Sequence, residues 1–151
     1  METANENKIA AFTHLSTLSQ YIIPFGNYIF PILFWTSKKD QSKFVDENGK
    51  QALNFQLSIL MYSLIFALIA IPIFLYTVLS NISFIELINY DDIIFERLNY
   101  ANSIGWLTLG VIALLAIAFI KIAEFFLVIL ATIKASNGET YNYPFTIPFL
   151  K

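Results

Sequence analysis

From Gly105 to Lys134 the chain reads GWLTLGVIALLAIAFIKIAEFFLVILATIK, apolar except for Lys121 and Glu124. At roughly 1.5 Å per residue a helix of that length reaches about 45 Å, more than the roughly 30 Å hydrocarbon core of a bilayer. The pattern predicts a membrane span over 104–135. A second run, over 51–79, is equally apolar, carries Asn54 and Gln56 in its first two turns, and has Pro72 as an expected kink. It predicts another span.

The stretch 9–35 is apolar but broken by Pro24, Gly26 and Pro31. Ile9, Phe12, Leu15, Leu18 and Ile22 recur at helical spacing, which suits an amphipathic first piece. A piece from about Phe25 to Trp35 is too short to cross alone. One kinked crossing is the expectation; a re-entrant hairpin with its backbone covered by neighbours is the alternative. The predicted fold class is thus an all-α integral membrane protein with three transmembrane helices, the first kinked or broken at prolines. All of 1–151 forms one membrane domain.

The connections set the orientation. The segment 37–50 holds Lys38, Lys39, Lys43 and Lys50, and short lysine-rich loops stay on the cytoplasmic side. Asp46, Glu47 and Asn48 before Gly49 have turn composition, so the second span is expected to open at Gln51. The segment 80–103 carries Glu86, Asp91, Asp92 and Glu96 against Arg97 alone, and belongs on the outer face. Its apolar positions, among them Phe84, Leu87, Ile88 and Phe95, suit a short interfacial helix. Ser136-Asn137-Gly138 suits a left-handed cap on the last span. The tail 136–151, rich in Tyr and Phe, suits an aromatic anchor at headgroup level. The C-terminus is expected inside; the N-terminus is outside with three crossings, inside if the first segment is re-entrant.

Composition agrees with lipid as the solvent: 57% of residues are hydrophobic and 13% charged, against roughly 25% charged in a soluble domain. The net charge of −2 gives no basic field for nucleic acid. Cysteine is absent and there is a single histidine, His14, so thiol chemistry is excluded, no metal set can be assembled and no cofactor is indicated. Neither a phosphate-binding loop nor a catalytic triad can be built from these residues. An enzyme is not expected.

Depth along the spans groups the polar residues. Glu124 and Lys121 lie about 15 and 20 Å in from Lys134, and Ser58 and Tyr62 about 12 and 18 Å in from Lys50. With Asn27 they form a candidate intramembrane cluster: Lys121, Glu124, Asn27, Ser58 and Tyr62. Such a cluster serves either as hydrogen-bonded glue between helices or as a relay or groove for a passing ion or chain.

Two stretches, FVDENGKQALNFQ (Phe44 to Gln56) and IKASNGETYNYPFTI (Ile133 to Ile147), together with AAFTHLSTLSQYIIPFGNYIFPILFW, resemble the small bacterial membrane proteins grouped with the Tic-twenty-like family. That group is named after a component of the chloroplast inner-envelope import channel. The matching positions are Asn48, Gly49, Ala52, Asn54, Phe55 and Gln56, then Gly138, Glu139, Tyr141, Tyr143, Pro144 and Phe145. The resemblance implies three or four helices in a bacterial cytoplasmic membrane and an accessory role in protein transport or assembly. The reading is therefore a multi-pass inner-membrane accessory or scaffold subunit, partnered by the bilayer and by a larger membrane complex or further copies of itself. Its rival is a small oligomeric transporter or channel component that uses Lys121 and Glu124. The Asn54 and Gln56 amides are also expected to satisfy the turn of the tail from Gly138 to Pro144.

Overall fold

The computed structural model describes residues 2–81 and 100–151, whose regular elements are all helices, with no strand among the described residues. Four helices follow in order: α1 Glu2–Leu15, α2 Gly26–Lys38, α3 Lys43–Asn81 and α4 Tyr100–Ser136. A 3₁₀ turn over Ser16–Tyr21 links the first two. The chain forms two compact units, one of Met1–Met61 with Ile120–Lys151, the other of Tyr62–Phe119. The interfacial helix expected in 80–103 lies outside the described residues.

Among the described residues, two helices are long and apolar enough to cross a membrane, over Lys43–Tyr76 and Thr108–Ser136. Leu68 is 74% exposed and Leu115 64%. Large side chains left open along two apolar helices need a solvent without hydrogen bonds to lose, and a bilayer is that solvent. Among the described residues of the second unit the buried ones are the small Ala70, Gly110 and Ala113, the residue type that lets membrane helices approach closely.

The expected third crossing is not shown. Helices α1 and α2 have 14 and 13 residues, about 20 Å each and short of the roughly 30 Å needed. Their contacts within the first unit trace a path in and back. Asn7 sits against the C-terminal end of α4, within hydrogen-bond reach of Ser136 and Gly138. Gln20 meets Lys121 and Glu124, and Trp35 returns to Asp46 near the start of α3 at 2.9 Å. The segment thus turns back on itself within the first unit, a path that suits the re-entrant alternative, and both termini belong to that unit. The reversal occurs at Pro24-Phe25, where Phe25 takes a left-handed backbone with φ 61°.

The start of α3 also differs from the sequence expectation. Residues 43–50 are helical rather than a turn. Ser42 caps them, its Oγ accepting from the Val45 N–H at 3.4 Å. Lys43–Glu47 and Lys50–Asp46 then pair one turn apart. Gly49 is a packing residue: a Cβ there would overlap the Trp35 ring. At the far end, α4 stops as expected. Gly138 N–H bonds Ala135 O at 3.1 Å and Glu139 N–H bonds Lys134 O at 3.0 Å, the Schellman pattern, with Gly138 at φ 81°.

The core of the first unit joins Phe55 and Ile59 of α3, Val128 and Ala131 of α4, and Tyr143 of the tail. Ala10 and Ala11 of α1 cluster with Ala135 of α4, so only methyl groups separate those backbones. The tail 137–151 is thus anchored in the core by Tyr143, with Tyr141 packed beside it, while Phe145 and Phe149 stay exposed.

Candidate functional site

Three sets of polar contacts hold the first unit together. The deepest is built on Glu124, whose side chain is 0% exposed against 38% for that of Lys121. One turn apart on α4, Lys121 Nζ reaches Glu124 Oε2 at 2.9 Å. Gln20, on the 3₁₀ turn, completes a ring: its Nε2 donates to Glu124 Oε1 at 2.7 Å, and its Oε1 accepts from Lys121 Nζ at 3.2 Å. The amide orientation follows from charge, nitrogen to carboxylate and oxygen to ammonium. Both carboxylate oxygens are thus satisfied where an unpaired charge costs several kcal/mol.

The second set centres on His14 at the end of α1. Asn48 Nδ2 donates to Phe44 O at 2.9 Å, so Asn48 turns its Oδ1 toward His14 Nε2, 2.9 Å away. Nε2 must then carry the proton, and Nδ1 accepts from the Tyr143 hydroxyl at 2.9 Å. A directed chain results: Tyr143 to His14 to Asn48 to Phe44. The ring of Tyr143 stacks on Phe55 with centroids 4.0 Å apart, and Tyr141 meets Tyr143 edge-on. Burial lowers the His14 pKa to about 4, partly offset by the Asn48 bond, and burial raises that of Tyr143. The neutral form of each is the one the packing favours.

The third set staples the tail to α3. Asn54 donates to Leu150 O at 3.0 Å and accepts from Leu150 N–H at 2.7 Å, standing in for a strand neighbour. Ser58 accepts from the Ile147 N–H at 2.9 Å, and Gln51 donates to Asn142 at 3.0 Å. Asn54 thus holds the last residues of the tail instead of the Gly138 to Pro144 turn.

The residues grouped by depth separate into these sets. Lys121 and Glu124 meet. Asn27 donates instead to Gln56 Oε1 at 2.8 Å, Ser58 holds the tail, and Tyr62 belongs to the second unit. Of the motif positions, Glu139 pairs with Lys134 at 3.0 Å in an exposed contact. Pro144 precedes Phe145, which takes a left-handed backbone at φ 56° and is 88% exposed. Sequence reasoning missed Gln20; its signal was a lone amide at the depth the re-entrant path would reach. Among the described residues no group of three or more His, Asp or Glu is placed to hold a metal ion.

One polar ring, one directed hydrogen-bond chain and a stapled tail can fix helices rigidly in lipid. Comparison with known families identifies one: a model described as the magnetosome magnetite crystal formation protein family (MamF/MmsF) matches residues 5–150. Comparisons with curated proteins and with solved structures find no match. The family match overturns the Tic-twenty-like resemblance, and with it the expectation of protein transport. The residues that carried that resemblance pack a helix start (Asn48, Gly49), hold a tail (Asn54) and cap a helix (Gly138). Those are structural tasks that helical membrane proteins of different activity share.

Proposed function

The chain belongs to the magnetosome magnetite crystal formation protein family, and from that premise we propose that it is a non-enzymatic accessory subunit of the membrane around a growing magnetite crystal, acting as a scaffold. The observation that carries the reading is the closed ring of Gln20, Lys121 and Glu124. A carboxylate held on both oxygens by its own chain is suited to locking a re-entrant hairpin against a span. The family supplies the process; the ring supplies the manner.

The same proposal includes an orientation. Lys38, Lys39, Lys43, Lys50 and Lys134 all belong to the first unit, and lysine-rich ends of spans remain cytoplasmic. Both termini then face the cytoplasm, the acidic segment 80–103 faces the opposite side, and α3 and α4 are the two crossings.

Deleting the gene in a magnetite-forming host and measuring crystals by electron microscopy tests the role. Altered crystal size or shape, restored by the wild-type chain and restored less well by Glu124→Gln, which opens the ring, is the expected result. Crystals unchanged by the deletion would refute the role. Full restoration by Glu124→Gln would show that the scaffold does not depend on the ring.

A further inference from the structure

The tail follows α3 inward and then back. Gln51 bonds Asn142, Phe55 stacks on Tyr143, Ser58 bonds the Ile147 N–H, and Asn54 bonds Leu150. Lys50 is the last charged residue of α3 and marks headgroup level. At roughly 1.5 Å per residue those four α3 partners lie about 2, 8, 12 and 6 Å beyond it. The path therefore turns near Ile147. A headgroup layer is about 5–8 Å thick on each side of the bilayer, so the turn lies below it, among the acyl chains.

The backbone is prepared for that depth. Irregular chain inside a bilayer survives only where the protein itself satisfies its polar groups. From Ile147 to Leu150 every backbone N–H is bonded or missing: Ile147 to Ser58, Phe149 to Ile147 O at 3.0 Å, Leu150 to Asn54, and none on Pro148. No charge occurs between Glu139 and Lys151.

The outward side chains match this depth. Phe145 is 88% exposed and Phe149 47%. Phe145 follows Pro144 and takes φ 56°, just as Phe25 follows Pro24 with φ 61° and is also exposed. Among the described residues these are the two non-glycine residues in the left-handed region. Each Pro-Phe corner reverses a segment too short to cross, and each leaves its ring outside the protein core. A ring held outward at the depth of Ser58 meets the same medium as the open faces of α3 and α4.

We propose that residues 143–150 form a re-entrant loop in the leaflet beside α3, with Phe145 and Phe149 seated among lipid acyl chains rather than at the headgroups. The inference rests on the reading of α3 as a membrane span and adds to it a lipid-contacting surface that is not a helix.

The chain has no cysteine, so a single fluorescent label reports one depth. The full chain carrying Phe145→Cys, and separately Phe149→Cys, would be labelled with a polarity-sensitive dye and reconstituted in vesicles of phosphatidylcholine and phosphatidylglycerol. Quenching would be compared for a nitroxide on the acyl chain, a nitroxide on the headgroup, and iodide on both faces. Leu68→Cys, 74% exposed on α3, reports whether that helix lies in lipid, and Asn137→Cys, exposed beyond α4, reports the aqueous level. The acyl-chain nitroxide is expected to quench both loop labels several-fold more than the headgroup nitroxide does, and iodide to quench them several-fold less than at Asn137→Cys. Stronger quenching by the headgroup nitroxide or by iodide, or the same pattern at Asn137→Cys as in the loop, overturns the loop alone when Leu68→Cys is quenched from the acyl chains. Iodide quenching at Leu68→Cys overturns the span and the loop together.

Discussion

Tyr143 donates its hydroxyl to His14 Nδ1 at 2.9 Å across 129 residues of sequence, so the tail is bonded to the first helix through a ring that must stay neutral. Unfolded, His14 takes up a proton below its ordinary 6.5; folded, it does so only below about 4. Between those values the unfolded chain binds more protons, so stability falls as pH falls. Above 6.5 the contribution is constant, and below about 4 it has been lost in full. The 2.5-unit gap implied by those two values corresponds to about 3 kcal/mol as an upper bound. Thermal unfolding in detergent from pH 7.5 to 4 should follow this course, and His14→Gln should flatten it. An unchanged slope in the variant would place the pH dependence elsewhere.

Glu124 supplies a second test. Glu124→Gln leaves the Lys121 ammonium without its counter-charge near the middle of a span, and removing one member of a buried pair costs roughly 3–5 kcal/mol. With Lys121 part-exposed, a loss of about 2–3 kcal/mol in detergent unfolding is expected. Adding Lys121→Met should recover much of it, since the double variant leaves no uncompensated charge. If the double variant is as unstable as the single one, the pair is not what stabilises this depth.

Asn54 holds the tail by two bonds to Leu150. Asn54→Leu removes both and leaves two backbone groups without their partner, a cost of about 1–3 kcal/mol. The tail should be cleaved faster by protease in membranes, with cleavage clustered after residue 143, because Tyr143 remains held by His14. Cleavage at the wild-type rate would mean that Ser58 and Gln51 hold the tail without Asn54.

How far the sequence disclosed this structure depends on whether a signal was local. The spans, the Gly138 cap and the meeting of Lys121 with Glu124 each follow from residues close in sequence, through an apolar run, an Asn-Gly after it, and a three-residue spacing on a helix. The return of the first segment does not. Pro24 and Pro31 break a helix equally well in a kinked crossing and in a hairpin, and only pairing with α3 and α4 through Gln20 and Trp35 decides between them. The candidate cluster was dispersed for the same reason: depth puts Asn27, Ser58 and Lys121 at comparable levels, but side-chain direction sends each to a different partner. Family membership lay still further from local patterns, because the motif residues perform packing tasks.

Gly49 shows how composition misleads and can be tested directly. Asp46-Glu47-Asn48-Gly49 has the residue types of a turn, but the four lie inside α3, and a Cβ on Gly49 would overlap the Trp35 ring. A glycine within a helix costs about 0.5–1 kcal/mol relative to alanine, so Gly49→Ala would be stabilising if backbone conformation alone mattered. Overpacking acts in the opposite direction, with a cost of about 1–3 kcal/mol. Because the Cβ would meet the base of the indole and the Trp35 Nε1 is tied to Asp46 at 2.9 Å, the ring cannot shift without losing that bond, and overpacking should win. In a Trp106→Phe background, where Trp35 is the remaining tryptophan, Gly49→Ala should change Trp35 emission and lower stability by about 1–2 kcal/mol. A stabilised variant with unchanged emission would show that Trp35 does not occupy the space above Gly49.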